Sequence, residues 1–124
     1  MELEISGNIR KLDYDHIQDM ERIEFRDEDK DYELYIEVPR LDRKVSFQKQ
    51  DEIHVLLTDD LEYEFDPAST KVVFNTTLYM VRREEGEGRN IIQFSAGGLI
   101  FRIITSQDSP FRLRGNRAFK IVAW

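Results

Sequence analysis

Asn90-Ile91-Ile92-Gln93-Phe94-Ser95-Ala96-Gly97-Gly98-Leu99-Ile100-Phe101-Arg102-Ile103-Ile104-Thr105 is the stretch that decides the fold. Two apolar runs, Ile91–Ala96 and Leu99–Ile104, meet at Gly97-Gly98. Glycine reaches positive φ without steric cost, so a glycine pair between β-rich runs signals a hairpin or a strand bend. The second run is apolar on both parities, with Leu99, Phe101 and Ile103 on one and Ile100 and Ile104 on the other. A strand covered on both faces, inside a closed or sandwiched sheet, has that pattern. A buried helix segment is the competing reading. Against it stand the Gly-Gly pair, the Ser106-Gln107-Asp108-Ser109-Pro110 turn and the β-branched content.

Outward from this centre, the clearest alternation is Tyr32–Val38. It predicts Tyr32, Leu34, Ile36 and Val38 inward, with Glu33, Tyr35 and Glu37 outward. Further strands are predicted from Leu3 to Lys11, with Gly7 as a bulge or bend, and over Met20–Arg26, Ile53–Thr58, Lys71–Arg83 and Phe119–Ala123. Asp13–Asp19, Asp27–Asp31, Gln48–Glu52 and Glu84–Gly88 read as turns. Pro39 closes its strand, and Leu41–Phe47 reads as an irregular link. Asp59–Thr70 reads as an acidic surface loop with a partial strand at Tyr63–Phe65, and Ser106–Asn116 as a second long loop. About eight short strands without an amphipathic helix predict a single all-β domain over residues 1–124, a small antiparallel barrel or sandwich. A faint echo (strand, turn, Phe47 or Phe111, polar turn, strand) is what two OB-like halves joined in one barrel would produce.

The chain has 124 residues, 40% of them hydrophobic and 35% charged, a globular composition with enough length for a core. No apolar run approaches the roughly 20 residues of a membrane helix, and Met-Glu-Leu-Glu-Ile lacks the features of a leader peptide. With no cysteine, a disulfide framework and a thiolate metal site are excluded. An intracellular protein fits these features. The net charge of −7 is divided unevenly: residues 1–81 carry 10 Lys/Arg against 21 Asp/Glu, residues 82–124 carry 8 against 4. Seven of those eight are arginine, suited to bidentate contact with carboxylates or phosphates. The split reads either as a solvated mixed surface or as a basic face turned towards an acidic partner. An acidic body argues against free nucleic acid as that partner.

Catalytic and metal signals are weak. His16 and His54 lie far apart without a neighbouring His, and His54 in a strand reads as a satisfied barrel residue. Asp59, Asp60, Glu62, Glu64 and Asp66 lack the glycine and terminal Glu of a calcium loop. Gly86-Glu87-Gly88 has no following helix or third glycine, so it reads as a hairpin turn. No nucleophile, acid–base pair or cofactor motif emerges, and no cofactor is expected. Stacking candidates for single-stranded nucleic acid are Tyr35, Tyr63, Tyr79, Phe101 and Trp124. Most sit among acids, and Phe101 is predicted to pack in the core.

In order and spacing, the chain resembles the eighth-subunit family of DNA-directed RNA polymerases, the small subunit common to the eukaryotic nuclear enzymes and found in some archaea. The best-matched part is Phe94–Ile103, where an apolar strand runs into Gly-Gly-Leu, two apolar residues, a basic residue and an apolar one. Tyr32–Val38 followed by Asp51–Val55, and Leu78–Gly86, are the other matches. The resemblance implies an eight-stranded antiparallel barrel of OB-like character and a non-catalytic role. It also implies docking on the largest polymerase subunit and a nuclear location, or a cytoplasmic one for an archaeal chain. The short Asp59–Thr70 loop and the end at Trp124 without a basic tail depart from the family pattern. Expected partner-facing residues are Gly97, Gly98, Leu99, Arg112, Arg114 and Arg117, with neither a membrane nor a small-molecule substrate as partner. The alternative is a free-standing OB module for single-stranded nucleic acid.

Overall fold

A computed structural model describes residues 1–39 and 47–124; the predicted link Leu41–Phe47 falls outside them except for Phe47. The described residues form no helix and eight strands: β1 (Glu2–Asp15), β2 (Met20–Asp27), β3 (Tyr32–Pro39), β4 (Glu52–Thr58), β5 (Val72–Glu84), β6 (Arg89–Ala96), β7 (Leu99–Thr105) and β8 (Ala118–Ala123). They close into a barrel in the order β1-β2-β3-β7-β6-β5-β8-β4, every neighbouring pair antiparallel. Of the barrel and the sandwich that the strand pattern allows, this is the closed antiparallel barrel, consistent with the OB-like character that the resemblance implies.

The order contains a repeat. Three consecutive strands form a meander (β1-β2-β3, then β5-β6-β7), and a fourth (β4, β8) returns to pair with the first. The halves join at β3·β7 and β4·β8. Phe47 and Phe111, which carry the sequence echo, occupy equivalent places. Each lies in the connection before the returning strand and is 2% exposed in the core.

The period of two accounts for the interior. Leu34 and Ile36 on β3, Ile92 and Phe94 on β6, and Phe101 and Ile103 on β7 are at most 2% exposed. Each such side chain stabilises the barrel by about 1.5–3 kcal/mol relative to exposure. The aromatic rings interlock edge to face: Phe94, Phe111 and Phe119 form a triangle with centroids 5.1–5.5 Å apart, and Phe74 meets Phe101 at 5.2 Å. The centre of the sequence signal is a two-residue hairpin. Ala96 pairs with Leu99, and Gly97 and Gly98 both have positive φ, 58° and 95°. Those signs at both positions define a type I′ turn, which suits the twist of the flanking strands.

Two strands must serve two partners each. β1 pairs with β4 over Glu2–Asn8 and with β2 over Ile9–Asp15. β5 pairs with β8 over Val72–Thr77 and with β6 over Thr77–Glu84. Each carries a register shift just after the switch, between Ile9 and Lys11 and between Leu78 and Met80. Gly7 is therefore not the bulge, which falls at Arg10. What Gly7 supplies is space: a Cβ there would lie 2.3 Å from the Arg26 carbonyl oxygen. Beside it, the Asp27 carboxylate accepts the Ser6 N–H at 3.0 Å and also those of Asp29 and Lys30, at 3.1 and 3.2 Å. One buried carboxylate thus closes the β2–β3 turn and satisfies the backbone where β1 leaves β2.

Two other predictions shift. Strand β1 runs on to Asp15, where a polar turn from Asp13 was predicted. Its polar residues pair across to β2, and Arg22 holds Asp15 at 2.9 Å. Tyr63–Phe65 forms no strand. The Lys120 ammonium reaches the Tyr63 carbonyl at 3.4 Å and lies 5.7 Å from the Phe65 ring centroid, tying this loop to β8.

The two kinds of glycine separate in stability. Gly97→Ala meets open space and only φ strain, so it should cost about 1 kcal/mol. Gly7→Ala must displace a backbone carbonyl inside the barrel wall, so it should cost more, about 3 kcal/mol or above. Urea denaturation of both variants measures the difference, and equal midpoints would be inconsistent with the close approach at Gly7.

Candidate partner interface

The partner-facing residues expected from sequence occupy three settings. Gly97 and Gly98 form the exposed β6–β7 tip, and Leu99 opens β7, half-buried against the core. Arg112 and Arg114 lie in the loop that follows the other end of β7. Arg117 ends that loop next to β8.

The β7–β8 loop is fastened along its length. Ser106 donates its hydroxyl to Asp31, and Gln107 Nε2 donates to the Lys30 carbonyl at 3.1 Å, so the loop starts against the β2–β3 turn. The Asn90 amide donates to the Gln107 carbonyl at 2.6 Å. Ser109 Oγ accepts the Phe111 N–H at 3.0 Å, which sets the chain direction as Phe111 enters the core. At the far end the Asn116 side chain bonds both backbone groups of Ala118 at 3.1 Å. Arg117 is no free cation. Its Nε donates to the Leu78 carbonyl at 2.8 Å and its own carbonyl accepts the Leu78 N–H at 2.7 Å, stitching β5 where it changes partner.

The remaining C-terminal arginines are mostly engaged too. Arg82 and Arg89 pair with Glu84, and Arg89 also with Glu87. Arg102 lies 5.2 Å from the Tyr35 ring centroid, and its Nε donates to Gln93 Oε1 at 2.5 Å. Gln93 in turn donates to the Tyr79 hydroxyl at 2.6 Å. On β3, Tyr35 donates to Glu37 at 2.8 Å, and the other Glu37 oxygen accepts the Ile100 N–H at 2.8 Å. Glu37 therefore replaces the backbone acceptor that β3 stops offering β7 beyond Ile36. A groove of about 230 Å³ beside this row is lined by Arg10, Glu24, Glu33, Tyr35 and Arg102. Arg10 is paired with Glu28 and the neighbouring Arg26 with Asp31 and Glu33, so its charges are balanced locally. Arg83, Arg112 and Arg114 are the C-terminal cations without an ion-pair or hydrogen-bond partner among the described residues.

Three of the five aromatic candidates are occupied in a similar way, while Tyr79 stays 39% exposed with its hydroxyl accepting from Gln93. Phe101 is fully buried, as predicted, and offers no stacking face. Tyr35 is covered by Arg102, and Trp124 stacks on His54 at 5.5 Å and 14°. His54 also exchanges both backbone hydrogen bonds with Trp124 at 2.9 Å, the satisfied barrel position foreseen for it. Gly86-Glu87-Gly88 is a hairpin turn, with the Glu84 carbonyl accepting the Glu87 and Gly88 N–H groups. No group of three or more potential metal ligands forms among the described residues. Compared with protein families and with curated proteins, the chain matches no family model and no curated sequence.

Two carboxylates make the loops acid-sensitive. The Ser106 hydroxyl, its backbone N–H and Arg26 hold Asp31 below the usual aspartate range. The Gln18 N–H, then that of Ile17 and the Arg22 guanidinium, do the same for Asp15. Since both folded-state values are depressed, their stabilisation is present above the ordinary value of 3.8 and is lost as pH falls through the lower folded values. The thermal midpoint of wild type should therefore fall as pH drops below about 4, and Asp15→Asn/Asp31→Asn should lessen that fall. An unchanged acid slope would contradict it.

The arginines should separate as well. Arg117→Ala removes the donor to Leu78 and should cost about 1 kcal/mol, while Arg112→Ala and Arg114→Ala should each stay within about 0.5 kcal/mol of wild type. Chemical denaturation of the three single variants checks this.

Proposed function

We propose that this chain is a non-catalytic structural subunit of a multisubunit DNA-directed RNA polymerase, docked on the largest subunit and supporting assembly and transcription. The observation that carries this reading is the agreement between fold and resemblance at one place. Phe94–Ile103, the part most similar to the eighth-subunit family, forms the β6–β7 hairpin of a closed eight-stranded barrel with two OB-like halves. That is the architecture the resemblance implies. A closed barrel leaves no long sheet edge for partners, so docking falls to turns and loops. The unpaired Arg112 and Arg114 beside the acidic barrel suit an acidic protein surface. On this reading the chain works in the nucleus if eukaryotic and in the cytoplasm if archaeal.

The rival reading, an OB module binding single-stranded nucleic acid, needs a basic face with open aromatic rings. The burial of Phe101 and the coverage of Tyr35 and Trp124 count against it, as does the net charge of −7. A tagged chain expressed in its native host should co-purify with the large polymerase subunits. The same protein should show no micromolar binding to labelled single-stranded oligonucleotides at low salt. Tight oligonucleotide binding with a steep salt slope, and no polymerase recovered, would overturn the proposal in favour of the rival.

A further inference from the structure

β8 has an apolar side that the barrel interior does not use. Ile121 and Ala123 belong to the core, so Lys120 and Val122 point outward. Val122 is nevertheless 1% exposed, and Leu56, its partner across β4·β8, is 5% exposed. Neither belongs to the core cluster, and Val73 flanks Val122 from β5. The path of the chain supplies a cover for this outer strip. β4 ends at Thr58 opposite Lys120, and β5 begins at Val72 opposite Ala123. The connection 59–71 therefore travels along β8 from one position to the other, over the outer face, because the inner face is packed. Tyr63 and Phe65 are half-buried on the way. Lys120 holds both, through the Tyr63 carbonyl at 3.4 Å and the Phe65 ring at 5.7 Å.

The connection has order of its own. Asp60 accepts the Glu62 N–H on its carboxylate at 3.0 Å and the Tyr63 N–H on its carbonyl at 3.1 Å. Asp66 accepts those of Ala68 and Thr70 in the same two ways, both at 3.0 Å. At its ends the Asp59 N–H donates to the Met1 carbonyl at 3.3 Å and the Lys71 N–H to the Ala123 carbonyl at 2.9 Å. From Leu61 to Thr70, Lys120 is the only polar tie to the barrel among the described residues. A segment with its own turns, fixed at both ends and latched by one ammonium, has the construction of a unit that opens locally.

We infer that residues 60–70 are a detachable strap, that Lys120 is its latch, and that its opening uncovers the Leu56–Val122 strip while the barrel stays closed. The wall then has two states, one with the strip covered and one presenting it, and no strand pairing breaks between them.

The chain has no cysteine, so a single introduced thiol reports on a single position. Val122→Cys places it under the strap, and Ile121→Cys places it next door in the core, at a position 0% exposed. Reaction of each with a thiol reagent is followed in native buffer and in low urea, with and without Lys120→Ala. Val122→Cys should react roughly tenfold faster than Ile121→Cys or more. Its rate should change little in low urea, since opening the strap exposes little surface. Lys120→Ala should speed Val122→Cys roughly fivefold beyond any change at Ile121→Cys, and Lys120→Arg should restore the slower rate. Leu56→Cys and its inner neighbour Leu57→Cys repeat the comparison from β4 if either β8 variant fails to fold. Equal rates with equal urea dependence on the two faces would overturn the strap. A fast Val122→Cys indifferent to Lys120→Ala would overturn Lys120 as the latch.

Discussion

Closure of the barrel depends on two strands that each change partner halfway. β1 turns from β4 to β2 and β5 from β8 to β6, and without these switches the two meanders would remain open sheets with unpaired edges. A switch strands backbone groups, and the chain supplies acceptors and donors for them. At β1 the devices are Gly7 under the Arg26 carbonyl, the Asp27 carboxylate on Ser6 and a bulge at Arg10. At β5 they are the Thr76 hydroxyl donating to Phe119, Arg117 on both backbone groups of Leu78 and a bulge at Tyr79. The solutions are chemically different at equivalent places, which explains why the halves share an architecture and so little sequence.

Strands were legible wherever one face is buried. Tyr32–Val38 alternates in sequence because Tyr32, Leu34, Ile36 and Val38 line the core. Its other face is wet only at Glu33, since Tyr35 is half-buried and Glu37 is buried against Ile100 and Arg22. Gly97-Gly98 marks its turn because both positions have positive φ. What pairs with what was not legible, since β3·β7 and β4·β8 join residues far apart in sequence. The same reason hid the role of Gly7, whose constraint is a carbonyl from another strand, and that of Arg117, which looks from sequence like its solvated neighbours Arg112 and Arg114. Asp13–Asp15 misled in the opposite direction. Its polarity suits a turn, but cross-strand ion pairing with Arg22 keeps it extended. Phe47 and Phe111 were visible only as a faint echo, because a lone aromatic in a polar loop does not announce the cavity it fills.

The division between wall and loops is also a division of labour. On the outer wall, Arg22, Glu37, Tyr35, Arg102 and Gln93 neutralise and hydrogen-bond one another across strands, so the wall has few polar groups seeking a partner. In the loops Asp27, Asp31, Ser109 and Asn116 fasten the backbone, while Arg112, Leu113 and Arg114 are left facing outward. The wall is not wholly satisfied: Arg83 on β5 has no ion-pair partner, and the buried Arg26 Nε and Arg89 Nε have no hydrogen-bond partner, among the described residues.

Hydrogen–deuterium exchange of the chain, free and mixed with polymerase, the assembly proposed for it above, tests that division most directly. Amides of β1 and β5 on both sides of their switches should exchange slowly in either state, and new protection on assembly should concentrate in 109–117 and 97–99. Protection spread over the outer wall of β2 and β3 with none in those loops, or fast exchange at the switches of the free chain, would contradict it.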